Sequence, residues 1–227
     1  MARTLNVAVH TVRKEAFVEA AQRLMTSKGY EAMSIQDVLD EVEASRGAFY
    51  HYFESKQELL EAVIERMVDA GLAEVAPIVD ERNLSATAKL QQVFSRIGRW
   101  KTARKPLVLA LLQVWLSDHN AIVREKLRRT MTVRMAATLT PIIQQGIDEG
   151  VFSAHSASDT ARVFVMMLLG FQDVATDLFL ERQAGRIELD DVERTFRGYT
   201  DSFERILGAA PGSIELIDEA MLREWFG

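Results

Sequence analysis

Along this chain the apolar residues recur at steps of three and four rather than two, which is the spacing of one face of a helix. The first predicted helix covers residues 12–28, with Phe17, Ala20, Ala21, Leu24 and Met25 on one side and Gly29 where a C-terminal cap belongs. Ser34-x-x-Asp37 has the form of a capping box and opens a short helix that buries Ile35, Val38, Leu39 and Val42. Ser45 caps the next helix, which ends by about Tyr52. A second box, Ser55-x-x-Glu58, starts a longer helix with Leu59, Leu60, Val63, Ile64, Met67 and Val68 turned inward, and Pro77 is expected to interrupt it.

Further helices are predicted over residues 84–104, 106–116 and 121–149, the last kinked at Pro141 and ended by Gly150. Ser156 and Ser158 offer caps for a strongly apolar helix reaching about Gln183. Asp190-x-x-Glu193 is expected to open another, in which Val192, Phe196, Tyr199, Phe203 and Ile206 alternate steps of four and three. After the break at Pro211-Gly212-Ser213, Ile214, Ile217, Met221 and Trp225 share one stripe and predict a short docked helix. No repeat, low-complexity tract or strand pair interrupts this all-α pattern.

Two helices separated by about three residues between Ser34 and Lys56 are too close for antiparallel packing and suit a helix-turn-helix. In the second of them Phe49 and Phe53, four apart, anchor one face. The opposite side carries Gly47, Ala48 and His51 and is nearly bare at its N-terminal end, so its backbone can approach a groove floor. Arg46 stands there to reach guanine O6 and N7 in bidentate fashion. Tyr50, His51 and Tyr52 supply phosphate donors, while Lys56 and the helix starts at Ser34 and Ser55 offer anion sites.

At Ser45-Arg46-Gly47-Ala48-Phe49-Tyr50-His51-Tyr52-Phe53-Glu54-Ser55-Lys56, preceded by Gly29-Tyr30 and Ser34-Ile35, the chain resembles the TetR family of transcriptional regulators. The resemblance covers about residues 12–66. It implies base contacts from Arg46, Gly47 and Ala48, and phosphate contacts from Ser34, Ser45, Tyr50, His51 and Lys56. It also implies an N-terminal three-helix helix-turn-helix head, residues 1–66, and a larger helical regulatory, ligand-binding and dimerisation body, residues 67–227. In one respect the chain departs from the family's pattern: Glu43 stands where a turn glycine is usual. A positive φ there would cost glutamate roughly 1 kcal/mol, and the side chain adds negative charge near DNA.

The body suggests a ligand site and a pairing face. Met131, Met135 and Met166 offer an adaptable lining for an apolar effector, or plain core filler. Asp173 and Asp177 fall on the side of Met166 and could hold a cationic group, or make ion pairs at a subunit interface. Trp100, Trp115 and His119 are further pocket candidates. The helices near 157–183 and 190–207 suit a two-helix face that pairs with its own copy as a four-helix bundle, an expectation the resemblance reinforces.

The chain has 227 residues, 48% apolar and 26% charged, with no cysteine and a net charge of −6. No disulfide framework, thiolate metal site or thiol nucleophile is available to it, and a cytoplasmic location is expected. The N-terminus lacks a signal-peptide apolar core, and the longest apolar run, residues 163–171, falls short of the ~20 residues a span needs, so no membrane role is expected. Enzyme motifs are missing: there is no H-E-x-x-H, G-x-S-x-G, phosphate loop or G-x-G-x-x-G, and no histidine has a glutamate three residues before it. No cofactor is expected. The basic cluster Arg96, Arg99, Lys101, Arg104 and Lys105 reads as a solvated helix end. Residues 1–66 hold 8 basic against 11 acidic side chains, so operator contacts must rely on helix ends, hydroxyls and a few cations. The expected function is a ligand-responsive regulator, most simply a repressor released from a palindromic DNA operator by a small, largely apolar effector. The alternative is a helical protein-interaction module without sequence-specific DNA binding.

Overall fold

The computed structural model describes residues 2–115, 120–215 and 217–227, with the side chains of residues 2–9, Gln113 and Trp115 left outside the description. Among the described residues there are ten helices and no strand: α1 (Ala2–Lys28), α2 (Ile35–Glu41), α3 (Arg46–Tyr52), α4 (Lys56–Asp80), α5 (Ala86–Thr102), α6 (Lys105–Trp115), α7 (Ala121–Asp148), α8 (Ala157–Gln183), α9 (Leu189–Leu207) and α10 (Glu219–Phe226). They form two compact units. The first takes Met1–Asp69 and Arg104–Leu127, the second Ala70–Ala103 and Arg128–Gly227. The chain returns to the first unit for α6 and the start of α7.

In the first unit Phe17, Ala20, Ala21 and Met25 of α1, Val38 and Leu39 of α2, Phe49 of α3 and Leu59, Leu60 and Val63 of α4 are buried in one cluster. Val114 and Leu111 of α6 join it, which is why that helix belongs to this unit. Helix α1 begins ten residues earlier than the apolar pattern predicts. The described side chains nearest that start, residues 10–15, are exposed. At the other end of α1, Gly29 takes φ +81° and its N–H bonds the carbonyl of Met25 at 3.0 Å, the left-handed cap its position implied.

The second unit is built around Leu90, Ile142, Ile143, Phe164, Val165, Phe203 and Leu207. Pro77 does not interrupt α4, which continues through it to Asp80. The missing proline N–H forfeits one bond close to the helix end, and the last turn is held from outside: buried Lys89 donates to the Val79 carbonyl at 2.7 Å. Glu149 performs the converse service for α5, accepting from the Ala86 N–H at 2.9 Å while Gln145 donates to the Leu84 carbonyl. Helix α7 likewise runs on through Pro141. Helix α9 starts one box earlier than expected, since Asp191 accepts from the Glu188 N–H at 3.0 Å and fixes Glu188, not Asp190, as its cap. The C-terminal helix docks as predicted, with Met221, Leu222 and Phe226 buried and the Trp225 indole donating to Thr102 Oγ1 at 2.8 Å.

Candidate nucleic-acid interface

Helices α2 and α3 are each seven residues long, too short to stand without caps. Ser34 and Asp37 form a reciprocal box: the Asp37 N–H donates to Ser34 Oγ at 3.1 Å, and Asp37 Oδ2 accepts from the Ser34 N–H at 2.7 Å. Lys28 adds an ion pair to the same carboxylate at 2.7 Å. Its ammonium, followed by the Ser34 hydroxyl and N–H, holds the Asp37 carboxyl well below the ordinary aspartate range. At α3, Ser45 Oγ accepts from the Ala48 N–H at 3.3 Å.

Between the two helices the chain makes a Schellman turn. The Ala44 N–H bonds the Leu39 carbonyl at 2.9 Å, the Glu43 N–H the Asp40 carbonyl at 3.4 Å, and Glu43 has φ +51°. Among the described residues Glu43 alone has a positive φ without being glycine. The turn geometry is thus retained and the strain falls on the glutamate. Glu43→Gly is expected to raise stability by about 1 kcal/mol and the midpoint of thermal unfolding by ~2–4 °C. A midpoint unchanged or lowered in a melt followed by circular dichroism would place no strain at this turn.

Helix α3 is seated by an aromatic layer. Phe49 is fully buried, edge-on to Phe17 with centroids 5.7 Å apart and tilted against Phe53 at 5.7 Å. Seating that side leaves Ser45, Arg46, Gly47, Tyr50 and His51 exposed, with Ala48 half-buried between them. The Arg46 guanidinium has no hydrogen bond or ion pair among the described residues. Tyr50 is 54% exposed. Ser34 is exposed at the start of α2. Together these side chains can approach a polyanion from the N-terminal end of α3, where a bare helix backbone presents donors.

Two residues sit differently from expectation. Tyr52 turns its ring inward, tilted against Phe17 at 5.8 Å and His10 at 4.5 Å, and so forms part of the seat. Lys56 is half-buried, donating to the Glu31 carbonyl at 3.3 Å with its ammonium 4.2 Å from the Tyr30 ring centre. Burial lowers its pKa, opposed by the nearby charges of Glu31 and Asp37. His10, which the sequence pattern did not single out, lies edge-on to His51 at 5.4 Å and brings α1 to the same face. Its spacing carries no signal, since the contact joins residues forty-one apart. The acidic run before Ser45 is partly neutralised within the fold, by Lys28 on Asp37 and by Arg23 on Glu41 at 2.5 Å.

The described effector candidates fall on α5, α7 and α8. Trp100 is buried on α5, and Met131 and Met135 pack half-buried on the second unit's core. Met166, Asp173 and Asp177 are exposed on the side of α8 away from Phe164, Val165 and Leu169. The Trp115 side chain and His119 lie outside the described residues. A groove of about 360 Å³ in the second unit is lined by Phe196, Arg197, Thr200, Ile214, Ile217 and Leu222, together with three glutamates, and by none of the candidates among the described residues. In the basic cluster Arg96 pairs with Glu74 at 3.6 Å, and Lys101 is half-buried, which lowers its pKa.

Residues 17–63 match the family described as bacterial regulatory proteins, tetR family. An HTH-type transcriptional regulator of Lactococcus lactis subsp. lactis is 36% identical over 84 residues, which is 37% of this chain and 43% of that protein, so the match spans under half of its length. The HTH-type transcriptional repressor KstR2 of Mycobacterium tuberculosis is 23% identical over 164 residues, 67% of this chain and 76% of the relative. In fold, a transcriptional regulator from Cytophaga hutchinsonii superposes with a TM-score of 0.60 at 21% identity, covering 94% of this chain and 98% of its own.

Proposed function

We propose that the chain is a regulator of the tetR family, whose pattern its residues 17–63 match, and that it is a cytoplasmic, homodimeric repressor that leaves a palindromic operator when a small, largely apolar effector binds its second unit. The observation that carries the DNA-binding part is the exposed N-terminal face of α3. Arg46 is unpaired there beside Gly47, Tyr50 and His51, on a helix capped by Ser45 and anchored by Phe49. A dimer would set its two α3 helices about 34 Å apart, in successive major grooves. Base reading falls to Arg46, Gly47 and Ala48, and positioning on phosphate to Ser34, Ser45, Tyr50, His51 and Lys56.

Release needs only a modest coupling. Helix α4 is continuous from the first unit into the second, so a ligand that favours a differently spaced dimer by ~1–3 kcal/mol lowers operator affinity some 5- to 150-fold. The half-buried Met131 and Met135, with buried Trp100, support an apolar effector, since thioethers and an indole offer adaptable, polarisable contacts. The relatives and the fold are those of DNA-binding regulators rather than enzymes.

The test is selection of genomic fragments by the full chain, followed by operator titration with and without the effector so found. Recovery of a palindrome is expected, together with equal and opposite effects of operator on effector affinity and of effector on operator affinity. Recovery of no preferred sequence even at low salt would favour an interaction module instead. Effector affinity indifferent to operator would remove the coupling.

A further inference from the structure

Helix α1 meets α3 through a cluster of three rings. His10 lies edge-on to His51 with centroids 5.4 Å apart, and Tyr52 stands 4.5 Å from His10 and 5.0 Å from His51. Tyr52 is half-buried, whereas both imidazoles are exposed. Beyond these ring contacts neither imidazole has a hydrogen bond or ion pair among the described residues, so their ring nitrogens are open to a ligand. The surroundings are cationic. One turn after His10, Lys14 holds its ammonium 5.5 Å from the Phe53 ring centre, and Arg13 beside it is exposed without an ion pair among the described residues. On α3 the titratable neighbours of His51 are the exposed Tyr50 and the half-buried Tyr52. Within four residues of either histidine the sequence has one carboxylate, Glu54, past the end of α3. Lys56, at the start of α4, is turned to Tyr30 and Glu31 instead. His10 and Lys14, four apart and so on one side of α1, therefore add imidazole and ammonium to the exposed Arg46, Tyr50 and His51 of α3.

Resting on the DNA-binding reading above, we propose that His10 and His51 together hold one phosphate of the DNA backbone, with Lys14 adding charge beside them, and that they take up protons from solvent as they do so. Two imidazolium rings side by side repel one another, and an anion shared between them turns that repulsion into attraction. Histidine is the side chain whose charge ordinarily changes between about pH 5 and 8, so a phosphate held in this way makes affinity for DNA depend on pH. The sign follows from linkage. Phosphate favours the charged rings, the complex binds more protons than the free protein, and affinity is greatest at the acid end of that window and is lost as pH rises through it. Each proton taken up is worth up to about tenfold in affinity per pH unit. A transition metal bridging the same two rings is opposed by the donor set, since no third His, Cys, Asp or Glu completes a site there among the described residues.

The experiment titrates the full-length protein with the duplex recovered by genomic selection and with a random-sequence duplex of the same length, at about pH 6, 7 and 8, with ionic strength fixed and a chelator present. Wild-type affinity for both duplexes is expected to fall about tenfold or more from the lowest pH to the highest, because a phosphate contact carries no sequence preference. His10→Gln and His51→Gln each keep a neutral, hydrogen-bonding side chain at an exposed position. Each is expected to flatten the fall to about threefold or less, with the loss of affinity concentrated at low pH. Lys14→Gln, which removes a charge that does not titrate in this window, is expected to weaken binding by a similar factor at every pH. His155→Gln, exposed between α7 and α8, is expected to keep the wild-type profile. A His10→Gln protein with the wild-type pH profile would overturn the proposal, even if its affinity were lower throughout, since a merely structural ring contact acts at every pH alike. A wild-type affinity indifferent to pH would overturn it as well, and so would a pH dependence seen only when zinc replaces the chelator. A chain that binds neither duplex at any pH would instead overturn the DNA-binding reading itself.

Discussion

Phe49→Ala is expected to abolish operator binding although it alters no side chain that faces DNA. The ring is fully buried between Phe17, Phe53 and the flank of Tyr50, and truncating a core phenylalanine costs about 3–5 kcal/mol through lost transfer energy and the cavity left behind. Each edge-on or tilted aromatic contact adds ~0.5–1.5 kcal/mol. A domain whose whole stability is ~5–15 kcal/mol loses most of its margin to that change. Helix α3 suffers first, because its seven residues cannot stay helical once the side that docks them is gone. Thermal unfolding by circular dichroism should show an early transition, and an operator titration should show no saturable binding at 37 °C. Phe49→Leu keeps most of the buried area and should retain both. Full stability in the alanine variant would mean that the aromatic layer does not hold the reading helix.

What could be read from the sequence was whatever is local. Ser34 and Ser45 announce helix starts because a cap is decided within three residues, and Gly29 and Glu43 both prove to have the positive φ their positions implied. Contacts between distant segments left no trace in any spacing. The clamp of Lys56 on Tyr30 and Glu31, the ion pair of Lys28 with Asp37 and the meeting of His10 with His51 arise from how α1 and the loop after it pack against α2, α3 and the start of α4. Pro77 misled because the bond it lacks lies near a helix end that Lys89 secures from another helix. Met166, Asp173 and Asp177 share one side of α8, which was legible from the spacing; that the side is exposed in the fold was not.

Arg46→Ala is expected to weaken operator binding by about 1–3 kcal/mol, with the loss confined to one base position in each half-site. The guanidinium is exposed and unpaired at the N-terminal end of α3, so its removal disturbs nothing within the fold, and the whole effect belongs to the DNA. Replacing that base pair in the operator should cost the wild type as much as the mutation does, and should cost the variant nothing further. Lys56→Ala makes the contrast. Its ammonium is partly spent on Glu31 and Tyr30 and would meet phosphate only as a charge, so its loss should weaken all sequences alike and shallow the salt slope by ~0.9 for each phosphate released. Equal, sequence-blind losses from both variants would take Arg46 out of base reading. The slope of the wild type bears on the same question. With Lys28 and Arg23 committed to Asp37 and Glu41, few cations are left for the backbone, and a dimer neutralising fewer than about ten phosphates is expected. A steeper slope would require a basic surface that the head, with 8 basic and 11 acidic side chains in residues 1–66, does not supply. Affinity in this protein must therefore come more from caps, hydroxyls and one well-placed guanidinium than from net charge.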